Sequence, residues 1–261
     1  MYSTILLESA DHIATIILNR PEIRNAFNEK MIDELKDCFD HIGQDENIRV
    51  VIIKGKGKAF CAGADLNWLR NIMTKTQDQN LKEGQNLAAC LHIIYICPKP
   101  VISIVQGYSM GGANGILAAS DIVYALDSTI FSFTEAKLGL VPANITPYVI
   151  KRIGEFKARE LMLTARQFNG EEAYEIGLVN KSFNDMSSLD LYLSSTLKDL
   201  LSAGPSAQRS IKKMIHQVCN HLSLNEARDY TARLISEVRV TPEAQEGMTA
   251  FLEKRKPNWN K

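Results

Sequence analysis

The strongest constraint on the fold comes from two unbroken apolar runs, IRVVIIKG at 48–55 and VISIV at 101–105. Runs this short and this rich in Val and Ile are typical of strands buried on both faces, as in a parallel sheet covered by helices. Parallel neighbours need a long crossover, and a helical pattern at 77–97 lies between the two runs. The sequence therefore predicts an α/β fold with mainly parallel strand pairing.

Several flanking segments extend this pattern. TILLES at 4–9 and HIATIILNR at 12–20 are strand-like runs separated by a short turn, which indicates a hairpin. Asn28 is a typical N-cap, and the apolar residues that follow it recur at helical spacing. Further along, DIVYAL and TIFSF predict two short strands, and the segment 134–147 predicts a loop. Strands thus continue to alternate with helices or loops.

The character of the chain changes after about residue 190. Four helical patterns then follow one another up to residue 255. We expect a core at 1–190 and a helical region at 191–261. Small helix clusters seldom bury their own apolar faces, so this region is expected to cover a partner subunit.

The overall charge excludes two classes of partner. Thirty basic and thirty acidic residues cancel in a chain of 261 residues, which argues against a nucleic-acid or membrane-surface role. No segment approaches the roughly 20 apolar residues of a membrane span. The N-terminal segment carries acidic residues where a targeting peptide would be basic, so we expect a cytoplasmic protein.

The cysteines and histidines indicate neither a disulfide framework nor a metal site. The five cysteines are scattered and contain no CxxC, and the five histidines show no metal-ligand spacing. The nucleotide patterns GxxxxGK[ST] and GxGxxG are also absent. No metal or redox cofactor is therefore expected.

The segment from Gly107 to Gly111 has the form G-x-S-x-G, which places a nucleophilic serine in α/β-hydrolases. Such enzymes need further core strands, an acid and a histidine downstream. Here the downstream candidates, His216 and His221, lie in helical patterns. We therefore expect Ser109 to be a turn residue and not a nucleophile.

Two loops of small residues each follow a strand and precede a helix. They are Ala62-Gly63-Ala64-Asp65, in which Asp65 is a candidate N-cap, and Gly111-Gly112. Backbone N–H groups are free at such helix starts. If one N–H group from each loop converged, they would form an oxyanion hole for a carbonyl oxygen that gains negative charge. Tight packing between strand and helix is the alternative explanation for the small residues.

The segments AFCAGADL at 59–66 and KPVISIVQGYSMGGANGILAASDIVYA at 99–125 resemble the enoyl-CoA hydratase/isomerase, or crotonase, superfamily. The similarity extends from NRPEIRNAFN near the start to AFLEKRKPNW at the end. The resemblance implies a core of repeated ββα units with a C-terminal helical region that trimerises, often as a dimer of trimers. It also implies an acyl-CoA thioester substrate, with coenzyme A as part of the substrate and no further cofactor.

By this resemblance, the N–H groups of Ala64 and Gly112 would hold the thioester oxygen. The remaining matched positions would contact the substrate. Ala62, Asp65 and Leu66 would border the CoA moiety, and Trp68 would border the acyl pocket. Pro142 would also contact the substrate. Arg24 would meet phosphate oxygens, although it is equally consistent with a surface arginine.

The catalytic carboxylates depart from the family pattern. Typical hydratases carry two glutamates, of which the second matches Glu135 and the first matches Gly115. Water addition needs both a base and a proton donor, so Glu135 would serve in both steps unless another group, such as Asn114, assists. Without the resemblance, Ser132 and Glu135 would suggest a capping box.

Gly115, ADLNWL at 64–69 and EAKLGLVPANITPYVIKRIGE at 135–155 together resemble a narrower branch. This branch contains the bacterial methylglutaconyl-CoA hydratases of leucine breakdown and the related hydratases of isoprenoid-acid breakdown. Their substrates carry a second carboxylate, which predicts a cation near the acyl tail. Arg70 is a candidate, with surface exposure as the alternative. The sequence thus predicts a hydratase of 2-enoyl-CoA thioesters, with 3-methylglutaconyl-CoA as a specific substrate. A Δ3-Δ2 enoyl-CoA isomerase that uses one carboxylate, and an acyl-CoA-binding paralogue without turnover, are the alternatives.

Overall fold

A six-stranded sheet forms the centre of the computed structural model, which describes residues 2–260. Its strand order is β1-β2-β3-β4-β6-β8, with β1 and β2 antiparallel and every later neighbour parallel. The α/β fold with mainly parallel pairing is confirmed. The strands are β1 (Ile5–Ala10), β2 (Ile13–Leu18), β3 (Val50–Gly55), β4 (Val101–Val105), β5 (Tyr108–Met110), β6 (Ile122–Leu126), β7 (Ile130–Ser132) and β8 (Lys181–Phe183).

Helices connect these strands and then continue alone to the end of the chain. They are α1 (Glu29–Gln44), α2 (Leu66–Ile72), α3 (Gln77–Ile96), α4 (Ala113–Ala119), α5 (Thr146–Thr164), α6 (Gly170–Glu175), α7 (Met186–Ser202), α8 (Pro205–Asn220), α9 (Leu224–Arg239) and α10 (Pro242–Leu252). Short 3-10 helices lie at Pro21–Ile23, Thr134–Leu138 and Asn258–Asn260. The segment 134–147, predicted as a loop, therefore contains one helical turn.

The N-terminal hairpin and the first helix form for local reasons. Asp11 and His12 both have positive φ, at 49° and 66°, as a tight two-residue hairpin turn requires. Asn28 caps α1 because its side-chain oxygen accepts a hydrogen bond from the Met31 amide at 3.0 Å. Both sequence predictions are confirmed.

The short strands β5 and β7 pair in parallel and form a second, two-stranded sheet. An isolated β-bridge pairs Cys61 with Ser109 at one edge of this sheet. Another pairs Phe168 with Phe131 at the other edge. The successive β4-β5-α4 and β6-β7-α5 segments are thus ββα units, as predicted. This small sheet places the loop after Cys61 directly beside the start of α4.

The two faces of the main sheet are covered by different helices. The larger core packs α1, α3, α4 and α5 on one face. On the other face, α7 packs against β3, β6 and β8, with Leu189 fully buried. The boundary predicted after residue 190 falls inside α7, and α8–α10 follow it. Four large apolar side chains on α9, at its C-cap and on α10 are at least 76% exposed in the single chain: Leu224, Val240, Phe251 and Leu252.

Across residues 2–260, no helix is both long enough and apolar enough to cross a bilayer.

Candidate active site

The loop after Cys61 leaves one backbone amide unpaired. Phe27 N donates to Gly63 O and Asp65 N donates to Phe27 O, both at 2.9 Å. In this parallel bridge, the intervening Ala64 presents its own N–H group away from Phe27. Within the described chain, no acceptor bonds to the Ala64 N–H.

The start of α4 offers a second amide of this kind. Gly112 is the N-cap of α4, and its N–H has no acceptor in residues 2–260. The two loops lie against each other, because a Cβ atom on Gly63 would be 3.0 Å from Met110 O. A Cβ atom on Gly112 would be 2.7 Å from Cζ of Phe27. Phe27 therefore contacts both loops, and close approach explains their small residues.

Glu135 presents a carboxylate to this place. It lies in the 3-10 helix Thr134–Leu138, and a Cβ atom on Gly111 would be 3.2 Å from its Oε1. Its Oε2 is buried and has no hydrogen-bond partner among the described residues. Burial raises the pKa of Glu135 above the usual carboxyl value. The carboxylate thus combines a buried position with an unsatisfied oxygen.

The capping-box alternative for Glu135 is wrong. Ser132 Oγ donates to Ala165 O at 3.1 Å, and no backbone N–H of residues 2–260 donates to it. The 3-10 helix begins after Phe133, which makes no side-chain cap. The carboxylate of Glu135 therefore has no capping role.

Position 115 is closed by packed apolar side chains. A Cβ atom on Gly115 would overlap the Cγ2 methyl of Ile145 and lie 3.1 Å from Cδ1 of Leu91. Ile145 is 2% exposed and Leu91 is fully buried. Any longer side chain at this position would have to displace them. A hydrophobic contact thus occupies the position that the sequence resemblance matches to a first glutamate.

Ser109 and Asn114 hold the turn together. Ser109 is fully buried in β5, so it is a strand residue and not the turn residue predicted from sequence. Its hydroxyl donates to Asn114 Oδ1 at 2.8 Å, and Asn114 Nδ2 donates to Ser132 O at 2.9 Å. Both polar atoms of the Asn114 side chain are therefore used within the protein. His216 packs instead against Tyr95, in the helical region.

A cleft of about 620 Å³ opens outside the two loops. Six residues predicted from sequence line it: Arg24, Ala62, Ala64, Asp65, Leu66 and Arg70. Three arginines and two carboxylates line its walls, namely Arg20, Arg24, Arg70, Glu22 and Asp65, which leaves a small excess of positive charge after Arg20 pairs with Asp65. The cleft has the charge and the position to bind an anionic ligand beside Ala64.

The individual cleft residues differ in how free they are. The Arg24 guanidinium lies 5.4 Å from the Tyr108 ring centroid, and Leu66 is 71% exposed. Arg70 donates to Asn67 Oδ1 at 3.0 Å and lines the cleft, on the outer side of α2. Trp68, on the same helix, faces inward, with its ring centroid 5.6 Å from that of Phe27. Arg70 therefore does not share the side of α2 on which Trp68 lies.

Asp65 is committed to an internal ion pair. Arg20 Nη2 lies 2.7 Å from Asp65 Oδ2, and the other carboxylate oxygen caps α2 through the Asn67 amide at 2.7 Å. Burial opposes ionisation of Asp65, but the bonds from Arg20 and the Asn67 amide hold its pKa below the usual value. The backbone of Asp65 is also bonded, because its N–H donates to Phe27 O and its carbonyl accepts from Leu69 N, so Asp65 shapes the cleft without a free polar group.

A comparison with known proteins decides the family. The family model described as enoyl-CoA hydratase/isomerase matches residues 8–261. The chain belongs to this family. A Thermus thermophilus protein provisionally named an enoyl-CoA hydratase is 30% identical over 248 residues, which cover 95% of this chain and 97% of that protein.

Solved structures agree with this family assignment. An enoyl-CoA hydratase from Shewanella pealeana superimposes with a TM-score of 0.95 at 35% identity, covering 98% of this chain and 96% of that one. The protein AtuE from Pseudomonas aeruginosa gives a TM-score of 0.96 at 31% identity, with coverages of 99% and 100%. The crotonase-like fold predicted from sequence is confirmed. Enzymes of the enoyl-CoA hydratase/isomerase family act on CoA thioesters.

Two further residues of this crotonase chain were missed by sequence reasoning. Trp68 Nε1 donates to Glu83 Oε1 at 3.3 Å, and Lys75 forms an ion pair with the same oxygen. The signal available was the spacing of Glu83, Leu87 and Leu91, which places an acidic residue in line with the apolar face of α3.

Pro142 lies just before α5, where its carbonyl accepts from Thr146 N at 3.1 Å. It is not among the residues that line the cleft.

Among residues 2–260, no three His, Cys, Asp or Glu side chains are arranged to hold a metal ion.

Proposed function

We propose that the protein is an enoyl-CoA hydratase that adds water to a 2-enoyl-CoA thioester. The observation that supports this most is the carboxylate of Glu135. The residue is half-buried, its Oε2 is buried without a partner in the described chain, and the carboxylate lies against Gly111 beside the unpaired Gly112 amide. A proton donor thus adjoins a backbone donor, as enolate chemistry requires.

The backbone amides of Ala64 and Gly112 would serve as the oxyanion hole. Addition to the double bond moves electrons onto the thioester oxygen, which becomes enolate-like in the transition state. Fixed N–H donors stabilise this negatively charged oxygen more strongly than they stabilise the neutral carbonyl of the bound substrate. Both amides are free of internal acceptors within residues 2–260, so the bound thioester would not have to displace one.

Glu135 would deliver the proton to Cα. Burial raises its pKa, so the neutral acid persists to higher pH than for an exposed glutamate. A neutral carboxylic acid is the form that can protonate the enolate. The apolar contact of Gly115 with Ile145 leaves no second carboxylate at the family's usual position.

The outer cleft would bind coenzyme A. Arg24 and Arg70 are the cleft arginines whose guanidinium groups are not paired with a carboxylate in the described residues, and they would meet phosphate oxygens. Ala62, Leu66 and the backbone of Asp65 would border the pantetheine and adenine portions. Trp68 and Pro142 would border the acyl group.

A second candidate function is a Δ3-Δ2 enoyl-CoA isomerase. The specific observation in its favour is the filled position 115, because a single carboxylate is enough to move a proton between Cα and Cγ. Assays of the purified protein with crotonyl-CoA, 3-methylglutaconyl-CoA and a 3-enoyl-CoA separate the possibilities. We expect hydration of a 2-enoyl thioester. Turnover of the 3-enoyl thioester alone would establish the isomerase, and tight binding without any turnover would establish an acyl-CoA-binding paralogue.

The specific substrate 3-methylglutaconyl-CoA stays a prediction from the sequence pattern. The candidate cation Arg70 lines the outer cleft. The cation nearest to Trp68 in the described contacts is Lys75, and it forms an ion pair with Glu83. Comparing kcat/KM for 3-methylglutaconyl-CoA and crotonyl-CoA tests the prediction. A preference below about threefold, less than 1 kcal/mol, would remove the distal carboxylate from the proposal.

We also propose that the chain assembles as a trimer or a dimer of trimers. The exposed Leu224, Val240, Phe251 and Leu252 support self-association of the C-terminal helices. Analytical ultracentrifugation would detect it, and a monomer at micromolar concentration would contradict it.

A further inference from the structure

Two buried hydrogen-bond acceptors lie on α3, away from Glu135. Glu83 Oε2 and Asn80 Oδ1 are both buried, and no donor within residues 2–260 reaches either atom. The two residues are three positions apart on one helix, so their side chains are neighbours. Buried polar atoms without partners are rare in folded proteins, which indicates that these two acceptors face a bound donor.

The side chain of Glu83 is held firmly in place. Its Oε1 accepts from Trp68 Nε1 at 3.3 Å and pairs with Lys75, while the whole side chain is only 11% exposed. Asn80 Nδ2 donates to Lys75 O at 3.5 Å. These bonds use Glu83 Oε1 and Asn80 Nδ2, which are the other polar atoms of the two side chains. The free Oε2 and Oδ1 atoms are therefore the ends available to a ligand.

Two series of contacts connect this pair with the proposed site. On one side, Trp68 packs on Phe27, and Phe27 contacts Gly112. On the other side, a Cβ atom on Gly84 would lie 3.9 Å from Asn144 Nδ2, in the segment that follows Glu135. Glu83 thus bonds to Trp68 of α2, and its neighbour Gly84 lies near the segment between Glu135 and α5.

We propose that Glu83 and Asn80 bind the water molecule that adds to the double bond, and that Glu83 accepts its proton. Water offers two O–H donors, and the two free acceptors match them. The proposal rests on the proposed hydratase function. It assigns to α3 the carboxylate that position 115 lacks.

The step balances without any further reactant. As the water oxygen bonds to Cβ, one of its protons moves to Glu83 Oε2, and the π electrons move to the thioester oxygen held by Ala64 and Gly112. Glu135 then donates its proton to Cα as the enolate electrons return. The proton on Glu83 passes through solvent to restore Glu135.

The surroundings of the two carboxyls suit these opposite roles. Lys75 compensates the negative charge that Glu83 needs as a base. Glu135 has no cation bonded to it in the described chain, and burial favours its neutral form.

Two reactions of each variant test the proposal. Hydration of crotonyl-CoA needs the bound water, whereas deuterium exchange at Cα of butyryl-CoA needs only Glu135 and the oxyanion hole. We expect Glu83→Gln to lower kcat for hydration by about 10²–10⁴-fold and to leave exchange within about threefold of wild type. The control, Glu155→Gln on the exposed surface of α5, should change neither reaction.

A second variant, Asn80→Leu, removes the other acceptor and should lower hydration at least tenfold, again with exchange retained. Hydration by Glu83→Gln within threefold of wild type would overturn the proposal. A parallel loss of exchange and hydration would also overturn it, because Glu83 would then merely support the fold. If the wild-type protein neither hydrates nor exchanges, the hydratase proposal itself fails, which is a distinct result.

Discussion

The loop at 62–65 and the 3-10 helix at 134–138 each contribute one acidic residue to the same region, yet the two carboxylates differ in every physical respect. Asp65 is bonded to Arg20 and to a helix start, and its pKa is lowered. Glu135 has an oxygen with no partner among residues 2–260, and burial raises its pKa. An acid whose bonds are all satisfied stabilises the protein, and an acid left unsatisfied is available for chemistry.

The largest expected effect comes from Glu135. We expect Glu135→Gln to lower kcat for 2-enoyl-CoA hydration by about 10²–10⁴-fold, because the amide cannot supply the proton. Steady-state kinetics measure this, with Glu155→Gln as the matched surface control. A loss smaller than about threefold would show that Glu135 is not the acid.

The same substitution should make the protein more stable at neutral pH. A carboxyl whose folded pKa is raised contributes stability below its unfolded pKa, and that contribution is lost as the pH rises through the folded value. Gln has no charge to bury, so we expect a higher midpoint of thermal unfolding for Glu135→Gln at pH 7. A lower midpoint would contradict the comparison between the two acids.

Removing the charge of Asp65 should instead lower the stability of the protein at neutral pH. Asp65→Asn should cost about 3 kcal/mol of unfolding free energy at pH 7, because it leaves Arg20 without its partner. Since the pKa of Asp65 is lowered, its contribution is complete above the unfolded pKa and is lost as the pH falls through the folded value. Urea unfolding at several pH values should show the difference from wild type shrinking in acid. A difference independent of pH would exclude the ion pair as its cause.

Position 115 tests the region opposite Glu135. We expect Gly115→Ala to cost about 1–3 kcal/mol through overlap with Ile145, although Ala normally favours a helix over Gly by about 1 kcal/mol. Adding Ile145→Ala should relieve the overlap, so the double variant should lose less than the sum of the single losses. Additive losses in chemical unfolding would mean that the two positions do not compete for space.

Ser109→Ala should have a smaller effect, about 1 kcal/mol of stability, because one buried hydrogen bond to Asn114 is removed. Activity should stay within about threefold of wild type. Loss of turnover comparable with that of Glu135→Gln would revive the serine-nucleophile hypothesis.

The smallest expected effect is that of Arg24 in the outer cleft. Arg24→Gln should raise KM for acyl-CoA about threefold at low salt, leave kcat unchanged and reduce the dependence of KM on ionic strength. An unchanged KM would return Arg24 to the status of a surface residue.

Local features of the fold were predictable because their causes lie within a few residues. The Val and Ile runs determine β3 and β4, and the side chains of Asn28 and Asp65 cap the helices that follow them. The ion pair of Arg20 with Asp65 was not predictable, since it joins residues 45 positions apart and depends on the way two loops pack.

The interior of the candidate site shows the same limit. Sequence revealed that Gly115 lacks a carboxylate, but only the packing of α5 against α4 shows that Ile145 fills the space. Glu83 was missed because one acidic residue on a long helix is usually solvated, and its burial depends on Trp68 and Lys75 from a different element.

Phe27 joins both loops to the segment that precedes α1. Its backbone bonds to Gly63 on one loop and its ring contacts Gly112 on the other. Met110 N donates directly to Cys61 O at 3.1 Å, so backbone pairing sets the separation of the two loops. A substitution at position 27 would therefore change the packing around Gly112 while the loops stay paired.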